Sequence, residues 1–397
     1  MCSASRMEPL VPARRGDLEV LALEVFKASA RIAGRVHPLT AAALARLLRT
    51  VNSYHSNLIE GIRTSLRDIE AGLVRQSNDE QTRRLQILHA HNVRAQAALE
   101  AERPDPRDIA TAGFLRRLHA LLFDGVPREF LVQRDRNGTR EIVTVPGELR
   151  DDNVEVGGHV PPDWQEVPAL LARFAEAYAL DRAQGAGSLV HAASAHHRLL
   201  WIHPFFEGNG RVARLFTDVY LACCGLEGYG LWTLSRGLAR AEARYKSFLS
   251  GADALRRGDY DGRGNLSEEG LRAFCRFFLE TALDQARFMD ELLQLDAAEK
   301  NITVYCVQRS QGHMAGRDSL PREAARILTH VFVHGSLAKG EVCELINASD
   351  RKARDVVKPL LDEGLLETRH QKAPLTVGFP AHAVQFYFPE LCDPGAF

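Results

Sequence analysis

Apolar residues recur at three- and four-residue spacing along most of this chain, the rhythm of helices that bury one face. Residues 18–33, 40–54, 80–100, 109–122, 167–178 and 188–201 carry it. Arg211 to about Cys224 repeats it through Val212, Leu215, Phe216, Val219, Tyr220 and Cys223. From Leu271 to Ala298 the pattern runs unbroken and predicts one long amphipathic helix. Strand-like pieces are few and short. Ile142, Val143 and Val145 follow an Asn137-Gly138 turn signal, and Val154 and Val156 alternate with polar neighbours. Ser65, three residues before Asp68, predicts a helix N-cap, and Pro104-Asp105-Pro106 predicts a break before a central core. After residue 320 the rhythm changes. Helices are predicted at 321–334, 338–346 and 349–363, then strands at 365–368 and 383–388 around a Pro/Gly-containing tip. The pattern predicts a mostly α chain.

Composition narrows the class. With 397 residues, 45% of them hydrophobic and 25% charged, the chain can bury two or three cores. A formal net charge of −1 announces neither nucleic acid nor a membrane surface. No apolar run reaches the ~18 residues of a spanning helix, and residues 1–17 lack the apolar segment of a signal peptide. Cys2, Cys223, Cys224, Cys275, Cys306, Cys343 and Cys392 are scattered without a C-x-x-C pair. That spacing points to reduced thiols and a cytoplasmic location rather than a disulfide framework.

Candidate chemistry concentrates at His203-Pro204-Phe205-Phe206-Glu207-Gly208-Asn209-Gly210-Arg211-Val212-Ala213-Arg214. The glycines let backbone N–H groups approach an anion, and the following helix would present its N-terminus to it. Arg211 and Arg214 lie three apart on one helical face. An imidazole that titrates near neutrality and a carboxylate suited to Mg²⁺ stand beside this cradle. Nucleotidyl transfer needs this kind of positioning and charge neutralisation.

The string resembles the Fic motif, H-P-F-x-[DE]-G-N-G-R-x-x-R, at every specified position. The resemblance implies a Fic-type helical core with a small β-hairpin flap, and a protein adenylyltransferase that moves AMP from ATP to a protein hydroxyl with Mg²⁺. It implies His203 as general base and Glu207 as the Mg²⁺ ligand. Gly208, Asn209 and Gly210 would be the anion nest, Arg211 the β-phosphate partner and Arg214 the grip on the γ-phosphate. Ser56-Asn57-Leu58-Ile59-Glu60-Gly61 is similar to the family's inhibitory motif, [ST]-x-x-x-E-[GN]. This implies that Glu60, with Ser56 and Gly61 around it, pairs with Arg214 and restrains transfer. Residues 146–162 resemble the family's flap, which pairs with an extended target segment as an added strand. Val154 and Gly157 of this segment are expected at the nucleotide site. Tyr245 matches one of a Tyr-Tyr pair that lines the adenine site in the family, while Ala252 stands about where its Asn is expected.

Two tempting metal readings fail. His191, His196 and His197 lack a His-Glu-x-x-His pattern and are read as packing residues. Asp259 to Gly270 imitates a calcium loop, but Arg263 replaces an oxygen ligand and Gly270 sits where the bidentate Glu belongs. Ser267 or Asn265 as a helix cap is the better account. The three C-terminal helices and wing resemble a winged helix, which would make DNA a possible partner of residues 320–397 through Arg351, Lys352, Arg354 and Lys358, with protein contact the alternative.

The expected organisation is an N-terminal helical region with the inhibitory helix at 1–100, a catalytic core at 101–298 and a winged-helix-like domain at 299–397. The expected function is AMP transfer from ATP to a Ser, Thr or Tyr hydroxyl of a target protein or of the chain itself. AMP removal with Glu60 orienting water, transfer of another phosphate-containing group, and a DNA-binding regulator that senses nucleotide are the alternatives.

Overall fold

The computed structural model describes residues 3–134, 141–314 and 316–392. At its centre is α7 (Ala186–Ile202), buried on every side rather than along one stripe. Small residues explain this: Ala192, Ala193, Ser194 and Ala195 let neighbouring helices approach closely. Around it pack α1 (Gly16–Ala33), α6 (Val167–Tyr178), α8 (Asn209–Cys223) and α11 (Glu268–Leu292). Arg198 of α7 is fully buried. Its guanidinium donates to Pro9 O at 2.8 and 3.1 Å and to Ala252 O at 3.3 Å, tying an N-terminal loop into the core.

A second layer holds α2 (Pro38–Ile59), α3 (Leu66–Val74) and α4 (Glu80–Glu102), followed by α5 (Ala112–Phe123). The predicted caps are present: Ser65 Oγ accepts from Asp68 N at 3.0 Å, and Ser267 Oγ from Gly270 N at 2.9 Å. α2 runs five residues past the expected Tyr54 and ends in a Schellman turn. There Ile62 N donates to Asn57 O and Gly61, at φ +76, donates to Leu58 O. A short hairpin pairs β1 (Val132–Arg134) with β2 (Glu141–Val143) in antiparallel register. The Asn137-Gly138 turn lies outside the described residues. Short helices α9 (Leu234–Arg240) and α10 (Glu242–Asp253) precede α11.

Two sequence expectations fail here. The predicted helix 271–298 is broken at Leu293 and Gln294, and α12 (Leu295–Ser310) follows as a separate helix. No Gly or Pro marks the break; burial of Leu293 and packing of α12 against the C-terminal helices impose it. Residues 383–388 are not a strand. They lie in and just beyond α16 (Ala381–Tyr387), burying Ala383, Val384, Tyr387 and Phe388 at helical spacing. A short apolar run cannot be told from a strand by its own pattern.

The C-terminal region contains α13 (Ala324–His334), α14 (Val342–Ile346) and α15 (Asp350–Asp362). They are followed by β3 (Leu366–Glu367), paired antiparallel with β4 (Thr376–Val377). α15 exposes Arg351, Arg354 and Lys358, but Asp355 lies among them. The region is clamped to α2: Thr40 Oγ1 donates to Phe332 O at 2.8 Å, and Arg46 pairs with Glu367 at 2.5 Å. Among the described residues, no helix is long and apolar enough to cross a membrane, and no two cysteines form a disulfide.

Arg309 of α12 is fully buried against Glu363, with two N–H···O bonds of 2.6 and 2.8 Å. The Tyr305 hydroxyl and Asp318 O also contact its guanidinium. Removing one partner leaves a buried charge unpaired, so Glu363→Ala should cost on the order of 3 kcal/mol. Denaturant unfolding of the two proteins checks this, and a loss under about 1 kcal/mol would contradict it.

Candidate active site

α7 delivers His203 at its C-cap, in the left-handed conformation (φ +51) that non-glycine residues seldom adopt. Strained backbone of this kind persists where surrounding contacts over-determine it. Arg150 supplies those contacts. It is almost fully buried; its Nε donates to His203 O at 2.8 Å, and its backbone N to Pro204 O at 2.9 Å. Its remaining nitrogens donate to Asp152 O at 3.0 Å and to Pro162 O. One side chain therefore holds both the His203 turn and the two ends of the 152–162 loop.

The loop turns back at Gly208 (φ +77), the N-cap of α8, where a Cβ would lie 2.5 Å from Phe123. Glycine is required there by both conformation and space. No side chain caps α8, so its first N–H groups face the cleft. Asn209 does not point at that cleft: its amide closes the loop on Phe205, donating to O at 2.7 Å and accepting from N at 3.0 Å. His119 braces the other side, accepting from Gly147 N at 2.8 Å, contacting Glu207 O at 3.2 Å and stacking on Phe205.

The two arginines have separate partners. Arg211 pairs with Glu207 at 2.8 Å and lies over the Phe123 ring at 4.8 Å. Arg214, almost wholly buried, donates through Nε to Ser56 Oγ and through Nη2 to Ser56 O, both at 2.8 Å. The same Nη2 meets Glu60 Oε1 at 2.6 Å. Glu60 also fills the cradle: a Cβ on Gly210 would stand 2.2 Å from its Oε1. Burial pushes the Glu60 carboxyl up, but Arg214, with Arg211 and Lys246 farther off, outweighs it and holds the carboxyl below its usual range. Gly61 provides the turn that ends α2 just beyond Glu60.

The structure thus brings Ser56, Glu60, Gly208, Gly210, Arg211 and Arg214 to one point, with Glu207 beside Arg211. Tyr245 backs onto the same arginine: its ring is buried, its hydroxyl is 2.7 Å from His196 Nε2, and it also interacts with Arg214 and Glu60. His196 in turn contacts Thr217, and His197 contacts Leu249 O and Asp253, so both serve packing as expected. The flap segment makes a tight turn closed by the Val156–His159 pair, with Gly157 at φ +59 in it, Val154 half-buried and Val156 exposed. His159 anchors that turn, contacting Trp201 O at 3.0 Å and Asp253 at 3.2 Å. Arg150, His119 and His159 were missed by sequence reading, because nothing local distinguishes a buried bracing residue from a solvated one.

His203 is held down to about 4 by burial first, then by the positive neighbours His159 and Arg150. It is therefore neutral near pH 7 and able to accept a proton. Its folded value lies below the ordinary 6.5, so falling pH protonates the unfolded chain first. His89, His119, His191 and His196 are lowered likewise by burial, to between about 3 and 4. Stability should decline as pH falls from about 6.5 toward 4, and an NMR titration of His203 should show a midpoint well below 6. A midpoint at 6.5 would contradict the burial argument.

Residues 109–221 match the Fic/DOC family model. Over 79 residues, 20% of the chain, the sequence is 39% identical to the proteins named protein adenylyltransferase Fic of Drosophila willistoni and Drosophila ananassae. The match spans 16% of the length of these curated relatives. The crystal structure of a Fic family protein from Desulfovibrio desulfuricans G20 superposes on 90% of this chain and 95% of its own, with a TM-score of 0.51 at 18% identity. That likeness is one of fold, and it extends beyond the matched segment into the flanking helices. Residues 109–221, which hold α5, α6, α7 and most of α8 with the glycine cradle between the last two, form a Fic/DOC family domain.

Proposed function

We propose that the chain is a protein adenylyltransferase that moves AMP from ATP to a hydroxyl of a protein segment, and that Glu60 restrains it. One observation carries the reading. An unprotonated imidazole, an uncapped glycine-rich helix N-terminus and two buried guanidinium groups meet at one place, and a carboxylate already occupies the anion position.

In this reading the first N–H groups of α8 receive the phosphates, and Arg211 and Arg214 offset charge on the outer two. His203 accepts the proton of the attacking hydroxyl, whose oxygen bonds to the α-phosphorus as pyrophosphate leaves. A half-buried imidazole with a low proton affinity suits a base that must start neutral. Arg150 positions it by fixing the left-handed turn. Glu207 is the carboxylate that would hold Mg²⁺ together with phosphate oxygens, once Arg211 turns from it to the nucleotide. Among the described residues no three His, Cys, Asp or Glu side chains cluster as a metal site, so substrate oxygens would complete the coordination. The ion would supply charge neutralisation on the transferring phosphate. The exposed turn at Val156–His159 is the surface on which an extended target segment would lie.

Glu60 and a γ-phosphate compete for one guanidinium, which is the physical basis of the restraint. A second reading follows from the same residue: in it the Glu60 carboxylate, held on Arg214, orients water for AMP removal. The DNA-binding alternative has weaker support, since Asp355 interrupts the basic face of α15.

Incubation of the full chain with labelled ATP and Mg²⁺ tests the proposal. Glu60→Gly should raise AMP incorporation by about tenfold or more, the effect of freeing one buried arginine for phosphate. His203→Ala in that background should lower it by a factor of about 10²–10⁴. Unchanged labelling in both variants, with folding intact, would refute the reading. Loss of label from a pre-modified protein faster with Glu60 present would favour AMP removal instead.

A further inference from the structure

Behind the anion cradle lies a second cavity of about 660 Å³, bounded by α2, α4, α8 and residues 229–233. Leu48, Leu99, Leu215 and Trp232 line it, with Pro104 and Ala222 nearer the surface. Its size and apolar walls suit a small organic molecule.

The floor is a buried polar network. Asp218 accepts from Asn52 Nδ2 at 2.8 Å and from the Tyr229 hydroxyl at 2.5 Å. Asn52 Nδ2 also donates to Gln96 Oε1 at 2.9 Å, and the Thr233 hydroxyl donates to Asn52 Oδ1 at 2.5 Å. Gln96 Nε2 donates to Asn92 Oδ1 at 2.7 Å, and Trp232 Nε1 to Ser29 Oγ at 2.8 Å. These donors are all engaged. Acceptor capacity is not exhausted, because a carboxylate offers about four lone-pair positions. Toward the surface, Arg49 pairs with Glu100 at 2.5 Å; its Nε lacks an acceptor but has no accessible surface. Arg103 is exposed at the edge.

We propose that this cavity binds a small apolar amine, whose ammonium donates to Asp218 while its hydrocarbon body lies against Leu99, Leu215 and Trp232. An anion would face Asp218, while the two guanidinium groups of the lining lie toward the surface, Arg49 paired with Glu100 and Arg103 exposed at the edge. A purely apolar guest would strip water from Asp218 and return no hydrogen bond, a net cost.

The site lies on the same seam as Glu60. Asn52 is one helical turn before Ser56 on α2, and Asp218 is one turn after Arg214 on α8. A ligand that fits the walls as they stand favours this arrangement over any other. Bound amine therefore holds Glu60 on Arg214, a consequence that rests on the restraint proposed above.

The test titrates the full chain near pH 8 with 2-phenylethylamine, and with 3-phenylpropionate as a similar body of opposite charge, by tryptophan fluorescence and ligand-observed NMR. The amine should bind with a dissociation constant of about 0.1–1 mM, the range for so few heavy atoms, and at least about tenfold tighter than the carboxylate. Asp218→Asn should erase that preference. Ala222→Trp, a change at an exposed position that fills the mouth, should abolish binding while the protein stays folded. Equal affinity for the two probes, no saturable binding up to about 10 mM, or amine binding that survives both variants would overturn the site. Saturating amine should also weaken nucleotide uptake in the wild type and leave Glu60→Gly unaffected. Binding without that effect would remove the link to Glu60. Failure of Glu60→Gly to take up nucleotide at all would count against the adenylyltransferase reading and not against the cavity.

Discussion

A helix that begins on a glycine with no capping side chain leaves a cluster of N–H groups and a positive dipole end facing a cleft. Such groups favour a negative neighbour. In this protein the resident is Glu60, brought from the end of another helix and fastened to Arg214. Much of the surrounding architecture can be understood as what keeps that start open and that carboxylate in reach. Gly208 cannot carry a side chain without striking Phe123, and Gly210 cannot without displacing Glu60.

The cleft is rigid because its parts are secured by buried side chains rather than by the loop itself. Asn209 closes the loop internally, His119 props it from α5, and Arg150 holds His203 O and Pro162 O with its guanidinium and Pro204 O with its backbone N–H. Each of these polar groups is buried and each spends its hydrogen-bonding capacity on backbone, which is where such groups define geometry rather than merely stabilise it. The imidazole of His203 inherits its properties from this setting. Burial and two positive neighbours keep it neutral, so the same contacts that shape the turn also set its protonation.

The helix that carries Glu60 is itself held from two sides. Along α8 it makes a zipper, with Asn52 on Asp218 and Ser56 and Glu60 on Arg214. On its other side the C-terminal region grips it through Thr40 and Arg46. The helix that carries Glu60 thus touches parts of the chain far from Arg214. A change at either face of α2 reaches Glu60 through a single stiff element, without a long chain of intermediates.

Local information was enough for much of this. The twelve-residue string from His203 to Arg214 announced an anion site by residue type and spacing, and Ser56 with Glu60 fell on one helical face. Periodicity located α6 and α8 nearly to the residue, Ser65 declared itself as a cap, and Ser267 was one of two candidates with Asn265. Helix termini and amphipathic faces are encoded within a turn or two, so they can be read there. What remained hidden depended on partners distant in the chain. The break at Leu293, the helical state of residues 383–388 and the bracing roles of Arg150, His119 and His159 are decided by what packs against them. The amino-acid sequence alone set His203, Glu207, Gly208, Gly210, Arg211 and Arg214 around the start of α8, and Ser56 and Glu60 at the end of α2. Only the tertiary structure decided that Arg150 and His119 would brace that turn, that Glu60 would reach Gly210 as well as the expected Arg214, and that a cavity would open behind them, because burial and pairing energies belong to contacts between segments and not to any segment alone.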